Sequence, residues 1–283
     1  MDKIYLILSV ITLLPVISKA GMVRQPVKDE SWDFLLLAQF WPGASCIYFD
    51  EYTECPVPQG QVGWIIHGLW PSVFSGQQPR MCDPSMTFDI TEIQPLRTEL
   101  DKQWPYLNKS GDSTFLWKHE WDEHGTCAYT LPILQGELSY FNVTLQLHST
   151  LDIFSALSTA NIVPTTDNLY SLTDIWTAVV NKYTKLPQIA CLHSKHKYYL
   201  DQIYLCYNKS LNLIDCPETH HHIYWNSMTK AKKLKLSLHF ESEKSEPVNS
   251  QTVDPRDYFI KCPRDEVYYI PIPDRKTEID TKV

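Results

Sequence analysis

Eight cysteines, none of them in a Cys-x-x-Cys pair, constrain the fold of this chain more than any other feature. They lie downstream of a stretch that reads as a secretory signal over residues 1–20. Lys3 gives it a charged start, Ile4 to Val16 an apolar run, and Ser18-Lys19-Ala20 a small-x-small cleavage site. Cysteines in an exported chain oxidise, so the expectation is a fold stapled by disulfides rather than a zinc knuckle or a thioredoxin site. Cys46 and Cys55, and Cys206 and Cys216, are close enough in sequence to read as local staples, while spacing leaves the other pairings open. Sequons at Asn108, Asn142 and Asn208 agree with export and require three surface positions. The leading apolar run is short for a membrane span, and no later segment approaches that length. A mature chain starting near Gly21 is therefore expected to be free of the membrane, either secreted or delivered to a lysosome or another acidic compartment.

The 283 residues contain no internal repeat or linker, so residues 21–283 are expected to form one domain with a charged, weakly ordered tail. A formal net charge of −8 excludes a protein that grips nucleic acid through a broadly basic surface. An anionic ligand would need a local positive site, or a pH low enough to charge the histidines. In chain order, Trp32 to Trp41 is an apolar run with Gln39 as its polar exception, and reads as a buried strand. Trp64 to His67 reads as a second strand broken at Gly68, followed by a loop over Val73 to Arg80. Helical patterns cover Phe115 to Cys127, Tyr140 to Ala160 and Thr173 to Thr184, the first ending at Gly125. Strand patterns resume at Gln188, with tyrosine-rich alternation around Tyr199 to Tyr207, and a last strand at Tyr258 to Cys262. This order predicts an α+β fold, an antiparallel central sheet with a cluster of helices.

Two segments carry chemistry. Phe115 to Cys127 reads FLWKHEWDEHGTC, and at about 100° per residue it gathers His119, Glu120, Glu123 and His124 on one helix face. Burying four ionisable groups beside Trp117 and Trp121 without a purpose would be unfavourable. The other segment, WIIHGLWPS, carries His67 and Trp70. Two histidines on opposite sides of a phosphodiester can exchange protons with it near neutral pH. One would deprotonate a ribose 2′-hydroxyl while the other protonates the departing 5′-oxygen, with no metal or cofactor required.

HGLWPS and HEWDEHGTC together resemble the two active-site segments of the T2 family of secreted ribonucleases. The likeness extends to AQFWP, to LDIFSALSTANIVPT and to FIKCP, and so covers nearly the whole mature chain. It implies that His67 protonates the leaving oxygen, that His124 is the general base, and that Glu120 supports the phosphate site. It also implies that His119 contacts the phosphate and that Trp70 packs beside the scissile bond. The substrate implied is single-stranded RNA, cut through 2′,3′-cyclic phosphate ends by a monomer. The family's disulfide pattern would pair Cys46–Cys55, Cys82–Cys127, Cys191–Cys262 and Cys206–Cys216.

One position departs from the family. Where a lysine usually precedes the second catalytic histidine, this chain has Glu123. The expectation is weaker activity confined to acidic pH, since a charge-stabilising group of this kind is worth roughly 10²–10³ in rate. Lys118 projects from the opposite helix face, and Glu123 is expected to raise the pKa of nearby histidines. The rival reading is a ribonuclease-fold effector or RNA-binding protein that no longer cleaves efficiently. A zinc hydrolase is disfavoured, because His119 and His124 miss the spacing of HExxH by one residue. His220, His221 and His222 read as a solvated loop rather than a metal site. Gln39 and Trp41 resemble residues near a base-binding pocket, although a tryptophan at a strand end is more often core.

Overall fold

The computed structural model describes residues 32–49, 55–74, 78–108, 112–218, 259–263 and 266–273. The leader, the His220–His222 tract, the polar segment Glu241 to Asp257 and the end of the tail lie outside these residues.

A mixed sheet forms the centre. Strands β1 (Phe34–Phe40), β2 (Ile65–Ser72), β4 (Gln188–Ser194) and β5 (Lys197–Tyr207) lie in the order β2-β1-β5-β4, antiparallel throughout. Short strands complete it: β3 (Leu169–Ser171), β6 (Leu213–Ile214), β7 (Phe259–Ile260) and β8 (Glu266–Tyr268). Of these, β7 joins β4 and β8 joins β5 in parallel. The apolar β1 is buried on both faces: Leu35 and Leu37 enter the main core, while Phe34, Leu36 and Ala38 meet Tyr204 and Cys206 on the other side. Gln39 is buried as well, with Oε1 2.8 Å from His148 Nδ1.

The helices pack around the sheet. They are α1 (Pro42–Tyr48), α2 (Arg97–Gln103), α3 (Thr114–Glu120), α4 (Thr126–Ala128), α5 (Glu137–Ser149), α6 (Ile153–Thr159) and α7 (Leu172–Tyr183). Trp117 and Trp121 are core residues whose indole N–H groups donate to the carbonyls of Trp104 and Met86. The disulfides are Cys46–Cys55, Cys82–Cys127, Cys191–Cys262 and Cys206–Cys216, the pairing implied by the resemblance.

Three sequence expectations are corrected. The Tyr140–Ala160 stretch is two helices, since Asp152 accepts the Ser155 N–H at 2.9 Å and starts α6 anew. Strand β2 does not break at Gly68 but runs on through Pro71 to Ser72. The helix from Thr114 does not stop at Gly125; a π-turn over Trp121–Gly125 carries it into α4. The last two both shape the site.

Candidate active site

In a regular strand His67 and Trp70, three positions apart, would point to opposite faces. The β1–β2 register pairs Ala38 with Gly68 and Gln39 with Ile66, so His67 is the extra residue of a bulge. Ile66 and Leu69 consequently both face the main core, and His67 and Trp70 share the other side with ring centroids 4.9 Å apart. The backbone around the bulge is held by buried donors: Trp104 Nε1–H to the His67 carbonyl at 2.8 Å, and the Tyr140 hydroxyl to the Leu69 carbonyl at 2.9 Å.

The facing wall is the helix from Thr114 to Ala128. The π-turn closes with the Thr126 N–H bonded to the Trp121 carbonyl five residues back. This widened turn brings the rings of His119 and His124, five positions apart, to 6.5 Å. His119 is exposed, whereas Glu120 and His124 are buried. The rings of Phe40, His67, Trp70 and His124 follow one another at 3.9, 4.9 and 5.2 Å.

Gly68 is where the two walls meet. A Cβ there would lie 1.9 Å from Glu120 Oε2 and 2.4 Å from Trp70 Nε1, which themselves form a 2.8 Å hydrogen bond. Glu120 Oε1, buried and without a hydrogen bond, is 3.8 Å from His67 Nε2. The other nitrogen of His67, Nδ1, is 2.8 Å from Gln202 Oε1 on β5. Gln202 Nε2 turns to Asp201 Oδ2 at 3.4 Å, which orients its carbonyl toward the ring. The neutral imidazole therefore carries its proton on Nδ1 and presents Nε2 to the site.

Burial sets the protonation states. Glu120 is raised to about 8 by desolvation, opposed by the Trp70 hydrogen bond and reinforced by Glu123. With Oε2 accepting from Trp70, the retained proton belongs on Oε1. His67 is lowered to about 4 by desolvation, against the hydrogen bond it donates to Gln202. His124 is lowered to about 3, again chiefly by desolvation and then by the charge of Arg80. This reverses the expected upward shift: burial and the neighbouring charges of Arg80, His119 and His67 all act downward, and Arg80 stands 3.8 Å from the Glu123 carboxylate. Lys118 pairs with Asp122, and both line the cleft that also holds His67 and His119, so the expected placement of Lys118 away from the site is not what the structure shows.

A cleft of about 890 Å³ opens beside His67 and His119, lined by Phe40, Tyr48, Phe115 and Tyr204 among others. Tyr48 and Phe115 are among the exposed aromatics. Gln39 and Trp41 lie in the core instead, Trp41 donating to the Ile270 carbonyl at 2.7 Å. Of the sequon asparagines, Asn108, Asn142 and Asn208 are all half-buried, each still reaching the surface. Sequence reasoning missed Gln202 and Arg80. Gln202 is a polar residue within a tyrosine-rich strand, but only the pairing of that strand shows what it faces.

Residues 32–216 match the family model of the Ribonuclease T2 family. The chain belongs to this family and is a T2-type endoribonuclease. It is 37% identical to ribonuclease Oy of Magallana gigas over 191 residues, covering 66% of this chain and 88% of that one. Among solved structures it is similar to RNase NT in complex with 5′-AMP, with TM-score 0.59 and 30% identity over 68% of this chain and 94% of the other. Human RNase T2 gives TM-score 0.58 and 33% identity over 65% and 90% of the respective chains. Among the described residues no helix is long and apolar enough to cross a membrane.

Proposed function

We propose that this protein cleaves single-stranded RNA by transphosphorylation between His124 and His67, in an acidic extracellular or endomembrane setting. The observation that carries this reading is the placement of the two imidazoles on either side of Trp70, over a buried carboxyl group. His124 accepts the proton of a ribose 2′-hydroxyl, and the 2′-oxygen attacks phosphorus. As the P–O5′ bond breaks, His67 Nε2–H protonates the departing oxygen, leaving a 2′,3′-cyclic phosphate. Protonated Glu120 presents its Oε1–H to a phosphate oxygen, and exposed His119 lies at the mouth of the site. Gln202 holds His67 in the required tautomer. The bases stack on exposed aromatics of the cleft, which binds RNA despite the acidic composition.

Acidic working conditions follow from the same burial. The acid must be protonated and the base unprotonated, and both imidazoles lie below 6.5 in the free protein. A bound phosphate anion raises both, yet their common starting point keeps the rate maximum on the acidic side. Glu123 adds a negative group beside the reacting phosphate and lowers the rate below that given by a lysine.

Residues 21–283 act as one monomeric domain after removal of the leader, with glycans at Asn108, Asn142 and Asn208. Cleavage assays from pH 4 to 8 with EDTA present test this reading. Activity is expected to survive EDTA, to yield cyclic ends and to vanish in His67→Ala. Wild-type protein that binds RNA without cutting it would instead favour the effector reading.

A further inference from the structure

The helix carries a glutamate where a cation would meet the charge developing on phosphorus, yet a cation stands next to that glutamate. Arg80 arrives from the loop that follows the bulged strand, and its Nη1 lies 3.8 Å from Glu123 Oε2. Its backbone is held against the catalytic helix. The N–H of Met81 donates to the Glu123 carbonyl at 3.1 Å, and Cys82 is bonded to Cys127. Met81 itself takes a left-handed conformation with φ of 49°, which a residue with a large side chain adopts only when its surroundings enforce it. On the other side of Arg80, Gln78 is tied back to Val73 through both its amide oxygen and its amide nitrogen.

The side chain is left free to act. Arg80 is 67% exposed and makes no hydrogen bond among the described residues, so its N–H donors remain available. The 3.8 Å contact orients the guanidinium toward Glu123 without locking it. Its charge also reaches the catalytic groups, holding down both His124 and Glu120. The cleft flanks His67 and His119, whereas Arg80 stands beside Glu123, near enough for its charge to act on His124. An RNA strand lying between the two imidazoles would therefore have its scissile phosphate between the cleft and this arginine.

We propose that Arg80, held by Glu123, is the cation that binds the scissile phosphate during cleavage and replaces the lysine missing from the helix. The proposal rests on the ribonuclease reading above. A guanidinium offers two parallel N–H donors to two phosphate oxygens, which a lysine cannot do. The five-coordinate phosphorus carries more negative charge than the starting diester, so the contact strengthens toward the transition state and acts on kcat. Glu123 is a positioning residue here: it aims the arginine and partly offsets its charge.

The test uses the mature full-length chain and a dinucleoside monophosphate, whose only phosphate is the one being cut. Arg80→Ala is expected to lower kcat by about 10²–10³-fold with little change in KM. Arg80→Lys should keep a measurable part of that rate. Glu123→Lys should restore at least about tenfold when added to Arg80→Ala, and change the wild type by less than that. Binding of inorganic phosphate, followed through the NMR signal of His124, supplies a readout that needs no turnover; Arg80→Ala should weaken it. Unchanged kcat and unchanged phosphate binding in Arg80→Ala would overturn the proposal, as would a loss confined to KM. Wild type that binds phosphate but cleaves nothing would defeat the ribonuclease reading alone, with the effect of Arg80→Ala on phosphate binding still deciding the role of the arginine.

Discussion

The two walls of the active site are built by the same device in different secondary structures. Strand β2 carries one extra residue at His67, and the helix carries a widened turn over Trp121–Gly125. Each irregularity re-aims side chains that a regular element would have separated. The difference lies in what holds the histidine. His67 is gripped by a hydrogen bond to Gln202 and by the ring of Phe40 stacked at 3.9 Å. His124 is buried with its Nδ1 unpaired, and is placed by helix geometry and the neighbouring Trp70. A proton donor at the end of the reaction must have a fixed tautomer and direction. A base that awaits substrate can keep a nitrogen unsatisfied until RNA arrives, and polar atoms left unpaired in a buried site mark where a ligand belongs.

The sharpest way to break this arrangement is at the seam. Gly68→Ala puts a methyl group 1.9 Å from Glu120 Oε2 and 2.4 Å from Trp70 Nε1, so the carboxyl and the indole must part. Loss of their hydrogen bond and displacement of His67 should lower kcat by at least about 10²-fold. Overpacking should destabilise the fold by roughly 1–3 kcal/mol. The atoms nearest to the Cβ of Gly125→Ala belong to the ring of the core residue Trp121, the first at 2.3 Å. This substitution should therefore unfold the protein more readily while sparing kcat in the fraction that remains folded. Denaturation and single-turnover cleavage of both variants separate the two effects. Equal losses of kcat per folded molecule would refute the distinction between the walls.

A second comparison concerns protons. Glu120 is raised to about 8, so the folded protein keeps a proton that the unfolded chain loses above about 4.5. Its contribution is fully present below pH 4.5 and is lost as pH rises toward 8. His67 and His124 behave in the opposite sense: lowered to about 4 and about 3, they favour the fold above 6.5 and oppose it as pH falls. Glu120→Gln mimics the protonated acid and removes only the alkaline slope. The variant should match wild-type stability near pH 4 and exceed it at pH 8 by on the order of 2–4 kcal/mol, while cleaving more slowly. Parallel melting curves across that pH range would show that Glu120 is already ionised in the free protein.

Much of this molecule is legible in its sequence, for identifiable reasons. The run Phe34–Phe40 declares a buried strand because every residue but Gln39 is apolar or small, and Leu172–Tyr183 declares a helix through its apolar face and the Ser171 cap. His67, Trp70, Glu120 and His124 are recognisable because two compact motifs carry them. The geometry that unites them is not recognisable in the same way. Glycine reads as a stop signal at residues 68 and 125, yet here it is the residue that lets a carboxylate and an indole approach the backbone. A bulge and a π-turn each shift register by one residue, and local periodicity cannot show this until the partner strand or the packed ring is known. Arg80 and Gln202 are further out of reach: Arg80 lies 44 residues from His124 and Gln202 lies 135 residues from His67, so only tertiary contact joins them.

The smallest effect expected tests the grip on His67. Gln202→Leu keeps the volume of the side chain near that of the amide but removes the acceptor for Nδ1–H, leaving a buried donor unpaired. The imidazole can then adopt the other tautomer and tilt over Phe40, so kcat should fall by about tenfold. Because the Gln202 hydrogen bond is what raises His67 against desolvation, its removal should move the alkaline limb of the pH–rate profile further toward acid. Gln202→Glu should move that limb the other way, since a carboxylate facing Nδ1 favours the imidazolium. Both variants should leave phosphate binding at His124 unaltered. If the limb stays fixed in both, the group titrating there is not His67, and the assignment of acid and base to the two walls must be exchanged.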